Sequence, residues 1–404
     1  LIYALKKIFI LSNIIMNLTI YSYLILALPF IIFFLHLYLK NTLLPIKKSK
    51  WVSFEENKIL HLFGFNFSYG IDVDYKGNIF FPDFKSGLIY KIDKSLKVTK
   101  ILKFKKNKLK EISLFELIIL NSVFKKFINI TSNIYKPHDI FFDKKNNMYI
   151  TQMGLGQGRG QGKVSVFSKN NKLLYEIGEL DQKNISLIDP VMSFVKNEII
   201  YVSECGADKI LIYKKSKLIG WIGDKSLNKK SFTNNKNKFF SAKLKRPHAF
   251  KIGPDNNFYI VDTLNHRVCK YSKKGKFLGW IGKRSDGKIN NNWSLNGRSI
   301  KGKELGAFNT PIDLVFLNNF IILSDCFNHR IIKISLDGKS LSWFGDTSKK
   351  IKKNIFPKIK ETSVSSKNNL GLSRPFGIKI WKDQLYIADK NNYRIKIIKF
   401  NVFL

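Results

Sequence analysis

A four-strand unit recurs along this chain, and its spacing restricts the fold more than any other feature of the sequence. Residues 246–282 contain four short runs rich in β-branched and aromatic side chains, separated by turn-forming residues. The unit begins at Pro247, and its second run ends at Asp262, 15 residues later. A four-stranded antiparallel sheet cannot bury both of its faces alone, so the unit must be repeated.

The same start and the same second-strand end occur six times. The starts are Ser68, Pro137, Pro190, Pro247, Pro311 and Pro375. The second strands end at Asp83, Gln152, Glu204, Asp262, Asp325 and Asp389. Every start-to-end offset is 14 or 15 residues, whereas the steps between units vary, which places the insertions in the connections. The sequence therefore predicts an all-β fold, a six-bladed β-propeller.

The ring is predicted to close through a strand from its N-terminal side. Residues 57–64 resemble the outermost strand of a unit, residues 276–282, whereas no outer strand follows the last unit after Arg394. Circular closure, in which strand 57–64 completes the sixth blade, removes free sheet edges. We therefore expect a propeller over residues 51–404, preceded by a separate segment over residues 1–50.

That preceding segment contains a long apolar run. The run extends from Leu18 to Leu39 and is long enough to cross a bilayer. No small-x-small cleavage pattern follows it, so an uncleaved transmembrane helix is the preferred interpretation and a cleaved signal peptide is the alternative. Residues 1–50 are thus predicted to be a single-pass membrane anchor with a basic linker, and the side of the membrane that carries the propeller is left open.

One helix is predicted among the insertions between blades. Ser113 and Glu116 have the spacing of a capping box, and apolar residues recur every four positions over 115–127. These signals predict a short helix over 114–128. We expect it to pack on the propeller, with contact to a membrane surface as the alternative.

The connection between the second and third strands carries a recurring signature. The segments Asp262-Thr-Leu-Asn-His-Arg-Val and Asp325-Cys-Phe-Asn-His-Arg-Ile resemble the NHL repeat, a family named after its Asn-His-Leu signature. The signature residues are Asp262, Asn265, His266, Arg267, Asp325, Asn328, His329, Arg330, Asp389 and Arg394. The resemblance covers residues 57–400 and implies an NHL-type propeller in which these side chains form turn and strand-to-strand hydrogen bonds.

The residue after each start is expected to point toward the mouth of the central channel. These positions hold Tyr69, His138, Val191, His248, Ile312 and Phe376, and Asp139 follows the first histidine. The two histidines stand in alternate units. Two imidazoles at one end of a channel are candidates for metal binding, although a catalytic zinc normally takes three protein ligands.

This placement resembles the amidating lyases of the NHL superfamily, whose zinc is held by three histidines that follow prolines in alternate blades. The resemblance implies His138 and His248 as metal ligands and zinc as the cofactor. The third alternate blade has Phe376, so the set is one ligand short, and Asp139 or Tyr69 would have to complete it. The residues themselves require no cofactor, because the sequence contains no HExxH, CxxC or Walker motif.

Positive charge is spread along the whole chain. The net charge is +41, and Lys, Asn, Ile and Phe, which have AT-rich codons, are all abundant, so genome composition explains much of it. The insertions 224–244, 283–308 and 346–372 are nevertheless expected to share one face and to give it a basic rim. The rim residues are Arg159, Lys163, Lys229, Lys230, Lys349, Lys350, Lys352 and Lys353.

Three functions fit these residues. The preferred one is a non-catalytic, monomeric, membrane-tethered propeller that acts as a binding or scaffold module, docking a protein or an anionic polymer on its basic, loop-bearing face. The first alternative is a metal-dependent lyase or hydrolase at the channel mouth. The second is an RNA-binding propeller, which aromatic residues between lysines would favour.

Overall fold

Six sheets of four or more strands make up the described part of the chain in this computed structural model. The described residues lie within one compact unit, residues 49–61 and 65–404. The structure describes residues 58–61, 69–84, 87–94, 98–105, 108–111, 136–154, 162–178, 187–223, 238–241, 243–347, 363–364 and 371–399.

The first three blades follow one another along the chain after an initial strand. That initial strand is β1 (Lys58–His61). Blade 1 contains β2 (Asp72–Val73), β3 (Ile79–Asp83), β4 (Leu88–Ile92), β5 (Val98–Lys105) and β6 (Lys108–Glu111). Blade 2 contains β7 (Pro137–Phe142), β8 (Met148–Gln152), β9 (Lys163–Phe167) and β10 (Leu173–Ile177). Blade 3 contains β11 (Pro190–Lys196), β12 (Ile199–Glu204), β13 (Lys209–Lys214), β14 (Lys217–Gly223) and β15 (Lys238–Ser241).

The last three blades carry short 3₁₀ turns between their second and third strands. Blade 4 contains β16 (Pro247–Ile252), β17 (Phe258–Asp262), β18 (Arg267–Tyr271), β19 (Phe277–Arg284), β20 (Ile289–Ser294) and β21 (Ser299–Ile300). Blade 5 contains β22 (Pro311–Leu317), β23 (Phe320–Asp325), β24 (Arg330–Ser335) and β25 (Ser340–Phe344), and the pair β26 (Asp346–Thr347) and β27 (Ser363–Val364) follows it. Blade 6 contains β28 (Pro375–Trp381), β29 (Gln384–Asp389) and β30 (Arg394–Lys399). The turns span Thr263–Asn265, Cys326–Asn328 and Lys390–Asn392.

The predicted strand limits agree with the structure with one exception. All six second strands end at the predicted residue, and five inner strands begin at the predicted proline. The inner strand of blade 1 begins at Asp72, four residues after Ser68. The reason is that Tyr69 and Gly70 bond to the flanking blades: the Gly70 amide donates to the His138 carbonyl, and the Tyr69 carbonyl accepts from the Gly377 amide.

Strand β1 belongs to blade 6. It pairs antiparallel with β30, from Lys58 opposite Ile397 to His61 opposite Arg394, so the sheet order is β1-β30-β29-β28. This is the pairing that circular closure requires, and it gives the last sheet its fourth strand.

The hydrophobic core lies between adjacent blades. Val164 of blade 2 and Val202 of blade 3 belong to one buried cluster, and Ile260 of blade 4 shares another with Ile210 of blade 3. Ile322 of blade 5 packs in the same cluster as Ile387 of blade 6. Each blade therefore depends on its neighbours to remove its apolar faces from water.

Among the described residues, no helix is long and apolar enough to cross a membrane. The apolar run from Leu18 to Leu39 and the helix predicted over 114–128 lie outside those residues.

A buried aspartate organises the turn in each of blades 4, 5 and 6. In blade 5 the Asp325 carboxylate accepts hydrogen bonds from the Asn309 amide at 2.7 Å, the Asn328 side chain at 2.8 Å and Arg330 Nε at 2.9 Å. Asp262 and Asp389 accept the equivalent three bonds in their own blades. These are the turn and strand-to-strand hydrogen bonds that the NHL resemblance implies.

The signature histidines connect one blade to the next. His266 Nδ1 accepts from the Thr310 amide at 3.0 Å, and His329 Nδ1 accepts from the Arg374 amide at 3.1 Å. In blade 3 the Asp208 carboxylate accepts the equivalent amide of Arg246 at 2.7 Å. In all three cases the acceptor is on a residue with positive φ, and the donor immediately precedes a leading proline. We call this contact the blade joint.

The buried Asp325–Arg330 pair gives the first prediction. Arg330 is fully buried, and it also donates to the carbonyls of Lys303, Glu304 and Ala307. Arg330→Met keeps much of the volume and leaves the Asp325 carboxylate without its cation, so the free energy of unfolding should fall by about 3–5 kcal/mol. Urea denaturation measures this loss.

The control for this substitution is Arg298→Met, since Arg298 is an exposed arginine of the neighbouring insertion. Substitutions at such surface positions change stability by about 0.5 kcal/mol or less. Equal losses in the two variants would show that the buried pair does not hold the turn.

Candidate functional site at the channel mouth

Four predicted mouth residues form one cluster of rings. Inner strands begin and second strands end at the same edge of each blade, and we call this edge the top face. There the Tyr69 ring stacks on the His138 ring with centroids 4.2 Å apart, and Phe376 lies 4.6 Å from Tyr69. His248 lies 5.8 Å from His138. The structure thus brings together side chains from blades 1, 2, 4 and 6.

The other predicted mouth residues are Val191, Ile312 and Asp139, and all three are buried. Ile312 packs in the same apolar cluster as Phe376. The backbone carbonyl of Val191 contacts His138.

The local backbone explains why these side chains leave the sheet. The pairing register shifts just after Pro137, Pro190 and Pro247, and the same irregularity follows the later leading prolines. Such bulges re-aim side chains and interrupt the ladder. The residue before the proline adopts positive φ at four of the five leading prolines, as at Arg246 (45°) and Thr310 (54°). This backbone accompanies the convergence of the His138, His248 and Phe376 rings.

The two histidines differ in their hydrogen bonds. His138 Nδ1 lies 2.7 Å from the Val191 carbonyl oxygen, which can only accept, so Nδ1 carries the proton and Nε2 is an acceptor. A ring held by a backbone carbonyl in this way has a fixed tautomer and orientation. In contrast, His248 Nδ1 is buried and has no hydrogen-bond partner within the described part of the chain.

Both imidazoles are neutral at pH 7. Burial is the main cause, because it disfavours the charged form and lowers the pKa of His248 to about 3. The nearby charges of Arg246 and Lys390 act in the same direction. Burial also lowers the pKa of His138 well below its usual value, and the charge of His248 adds to that effect.

A second set of residues meets the mouth from the turns that follow the second strands. Lys390 Nζ lies 4.1 Å from the centroid of the Tyr69 ring and 5.0 Å from that of Phe376. The Phe84 ring meets the edge of Tyr69 at 5.5 Å. These turn residues were not among the predicted mouth residues. The repeat register nevertheless identifies them, because each directly follows the end of a second strand. These positions hold Phe84, Met153, Cys205, Thr263, Cys326 and Lys390.

Asp139 belongs to a buried polar group in the channel. Its carboxylate accepts a hydrogen bond from the Ser193 amide at 3.3 Å. Burial raises its pKa to about 8, the carboxylates of Asp313 and Asp72 act in the same direction, and Lys251 opposes them. Asp139 therefore holds a proton at neutral pH when no cation is bound beside it.

The described mouth residues do not fit a catalytic zinc. Such a site takes three protein ligands and leaves one position open. Within the described residues no three His, Cys, Asp or Glu side chains lie close enough together to hold a metal ion. Phe376 occupies the third alternate position, and the Tyr69 ring lies nearly parallel to His138, at 17°.

The predicted basic rim falls largely outside the described residues. Lys163 is described, and it forms an ion pair with Glu176 at 3.1 Å. The rim residues outside the described part of the chain are Arg159, Lys229, Lys230, Lys349, Lys350, Lys352 and Lys353.

Part of the chain is similar in sequence to a known amidating enzyme. No protein-family model matches the chain. Peptidylglycine alpha-amidating monooxygenase of Rattus norvegicus is 27% identical over 162 residues, which cover 38% of this chain and 14% of that protein. The match therefore spans only a small part of the relative's length. Together with the blade pattern, it confirms the interpretation as a six-bladed NHL-type propeller with distant similarity to these enzymes.

Solved structures with a similar arrangement have low sequence identity. Virginiamycin B lyase from Staphylococcus aureus is 13% identical with a TM-score of 0.49, covering 85% of this chain and 99% of its own. A streptogramin B lyase is 15% identical with a TM-score of 0.48, covering 85% and 97%. An auxiliary nutrient binding protein from Bacteroides thetaiotaomicron is 13% identical with a TM-score of 0.48, covering 83% and 69%.

The buried neutral His248 gives a prediction about pH. Its pKa is lower in the folded chain than the unfolded value of about 6.5, so its contribution to stability is present above pH 6.5 and is lost as the pH falls toward 3. Between pH 7 and pH 5 this one group should cost about 2 kcal/mol of the free energy of unfolding.

The variant His248→Phe removes the titrating group and keeps an aromatic ring. It should lose about 2 kcal/mol less than the wild type between pH 7 and pH 5, because one of the buried imidazoles no longer has to stay neutral. Urea denaturation at both pH values measures the difference. The same pH dependence in both proteins would mean that His248 is not held neutral by burial.

Proposed function

We propose that this chain is a binding propeller that holds its ligand at the channel mouth of the top face without a catalytic metal. One observation carries the proposal. The rings of His138, His248 and Phe376 form a nearly equilateral triangle, with centroid separations of 5.8, 6.0 and 6.3 Å. Three ring positions converge as a three-imidazole site would require, but one of the three is a phenyl group that cannot bind metal.

The chemistry of the mouth favours a ligand with a flat apolar part and a negative charge. Tyr69 and Phe376 contribute aromatic rings, and Lys390 lies over both of them. His248 Nδ1 is buried without a partner within the described residues, so a ligand could supply its missing hydrogen bond. Arg246 and Lys390 make the surroundings of both imidazoles positive.

The alternative function is a metal-dependent lyase or hydrolase. It is favoured by the similarity to peptidylglycine alpha-amidating monooxygenase and by the hydrogen bond of His138 Nδ1 to a backbone carbonyl, a contact typical of metal-ligating histidines. This alternative needs a third ligand from residues outside the described part of the chain.

The sequence also suggests a wider role for the whole chain, which we include in the proposal. Our proposal includes a membrane tether through the run from Leu18 to Leu39, a monomeric ring, and docking of an acidic protein or anionic polymer on the top face, supported by the net charge of +41. RNA binding is the further alternative for the same basic face.

The test is zinc uptake by the wild type and by Phe376→His. The wild type should contain far less than one zinc per chain after dialysis against micromolar zinc, because two imidazoles hold the ion weakly. Phe376→His supplies the third imidazole at the free corner of the triangle and should bind about one zinc per chain. Inductively coupled plasma mass spectrometry gives the metal content.

The control is Ile312→His, which adds a histidine at the mouth in blade 5. This blade lies outside the alternating set of blades 2, 4 and 6. It should behave like the wild type. One zinc per chain in the wild type, released by His248→Ala, would contradict the proposal and favour the lyase.

A further inference from the structure

A pocket on the top face is lined by residues other than those of the channel mouth. It has a volume of about 670 Å³ and lies between the lead-in to blade 4, the turn after β17 and the insertion that follows β19. Five cationic side chains line it, and its lining contains no carboxylate residue. These side chains belong to Lys243, Lys245, Arg267, Arg298 and Lys301.

The cations of this pocket differ from two basic side chains nearby. Lys283 pairs with Glu304 at 2.6 Å, and Arg284 pairs with Asp286 at 2.9 Å. In the pocket Arg267 pairs with the buried Asp262. The other four cations have no ion-pair partner among the described residues, and all four are exposed. Those residues are Lys243, Lys245, Arg298 and Lys301.

The blade joint gives this pocket a further donor. His266 lines the pocket, and its Nδ1 accepts from the Thr310 amide, so in the neutral ring the proton is on Nε2. Burial lowers the pKa of His266, and the charges of Lys301 and Lys245 add to that effect, which keeps the ring neutral at pH 7. The fold thereby fixes an N–H donor next to the cations.

The pocket also has apolar walls. Leu264 and Ile300 contribute to its lining beside the hydroxyl of Ser299. Every charged group in the lining is a cation, and His266 and Ser299 can add neutral donors. Groups with several acceptor oxygens and a negative charge match such a set, and phosphate and sulfate esters have both properties.

We propose that this pocket binds a tetrahedral oxyanion, the phosphate or sulfate ester group of a ligand whose apolar part contacts Leu264 and Ile300. The inference rests on the proposed function in one respect, the use of the top face for binding. It adds the chemical class of the ligand and a site distinct from the channel mouth.

The test is calorimetric titration of the full chain in detergent. Inorganic phosphate, inorganic sulfate and acetate are titrated separately at constant ionic strength. The variant Lys245→Gln/Lys301→Gln removes two cations from the pocket. The matched control, Lys273→Gln/Lys274→Gln, removes two exposed cations from the turn between β18 and β19, at the opposite edge of the same blade.

Phosphate and sulfate should bind the wild type and the control in a saturable way, and acetate should not. The pocket variant lacks two charged donors to the anion, so it should bind at least about tenfold more weakly, which corresponds to about 1.4 kcal/mol. Equal weakening in both variants, or equal binding of acetate, would overturn the inference, because net charge would then account for the binding. Absence of saturable phosphate and sulfate binding would overturn it as well.

The outcome is independent of the zinc measurement. If the pocket fails this test while the wild type contains no stoichiometric zinc, the binding function at the mouth stands and only the ester site is removed.

Discussion

The blade joint is the interaction on which the arrangement of blades 3 to 6 depends, because it connects blades 3 and 4, 4 and 5, and 5 and 6. A side chain on a left-handed turn residue accepts the amide that immediately precedes the next leading proline, as His266 does for Thr310 and His329 does for Arg374. Proline has no N–H of its own, so this amide is the last donor before the inner strand begins. The joint thereby fixes where the next inner strand starts relative to the blade before it.

The candidate site is built from residues that directly follow leading prolines. The rings of His138, His248 and Phe376 converge there although these residues are far apart in the sequence. The same geometry serves a metal site or an aromatic pocket, and side-chain identity decides between them. A phenyl group stands at one corner, so the described mouth offers two imidazoles, whereas a catalytic zinc normally takes three protein ligands.

The sequence predicts the blades well because the repeat imposes the same constraint at each start. Regular offsets located Asp262, Asp325 and Asp389 at their strand ends, and burial of these carboxylates requires the partners that the signature supplies. Contacts between blades were not predictable in this way. The bonds of Gly70 to a neighbouring blade shorten one inner strand, and Lys390 reaches the mouth from a turn whose side chain varies between blades. Both depend on packing that no single unit contains.

The central claim is that the channel mouth is a binding site without a catalytic metal. Anomalous diffraction at the zinc edge, from crystals grown with one equivalent of zinc, tests it most directly. The account predicts no anomalous peak between His138 and His248. A peak about 2.1 Å from an imidazole nitrogen of each histidine would contradict it, because those are the distances of zinc bound by both rings.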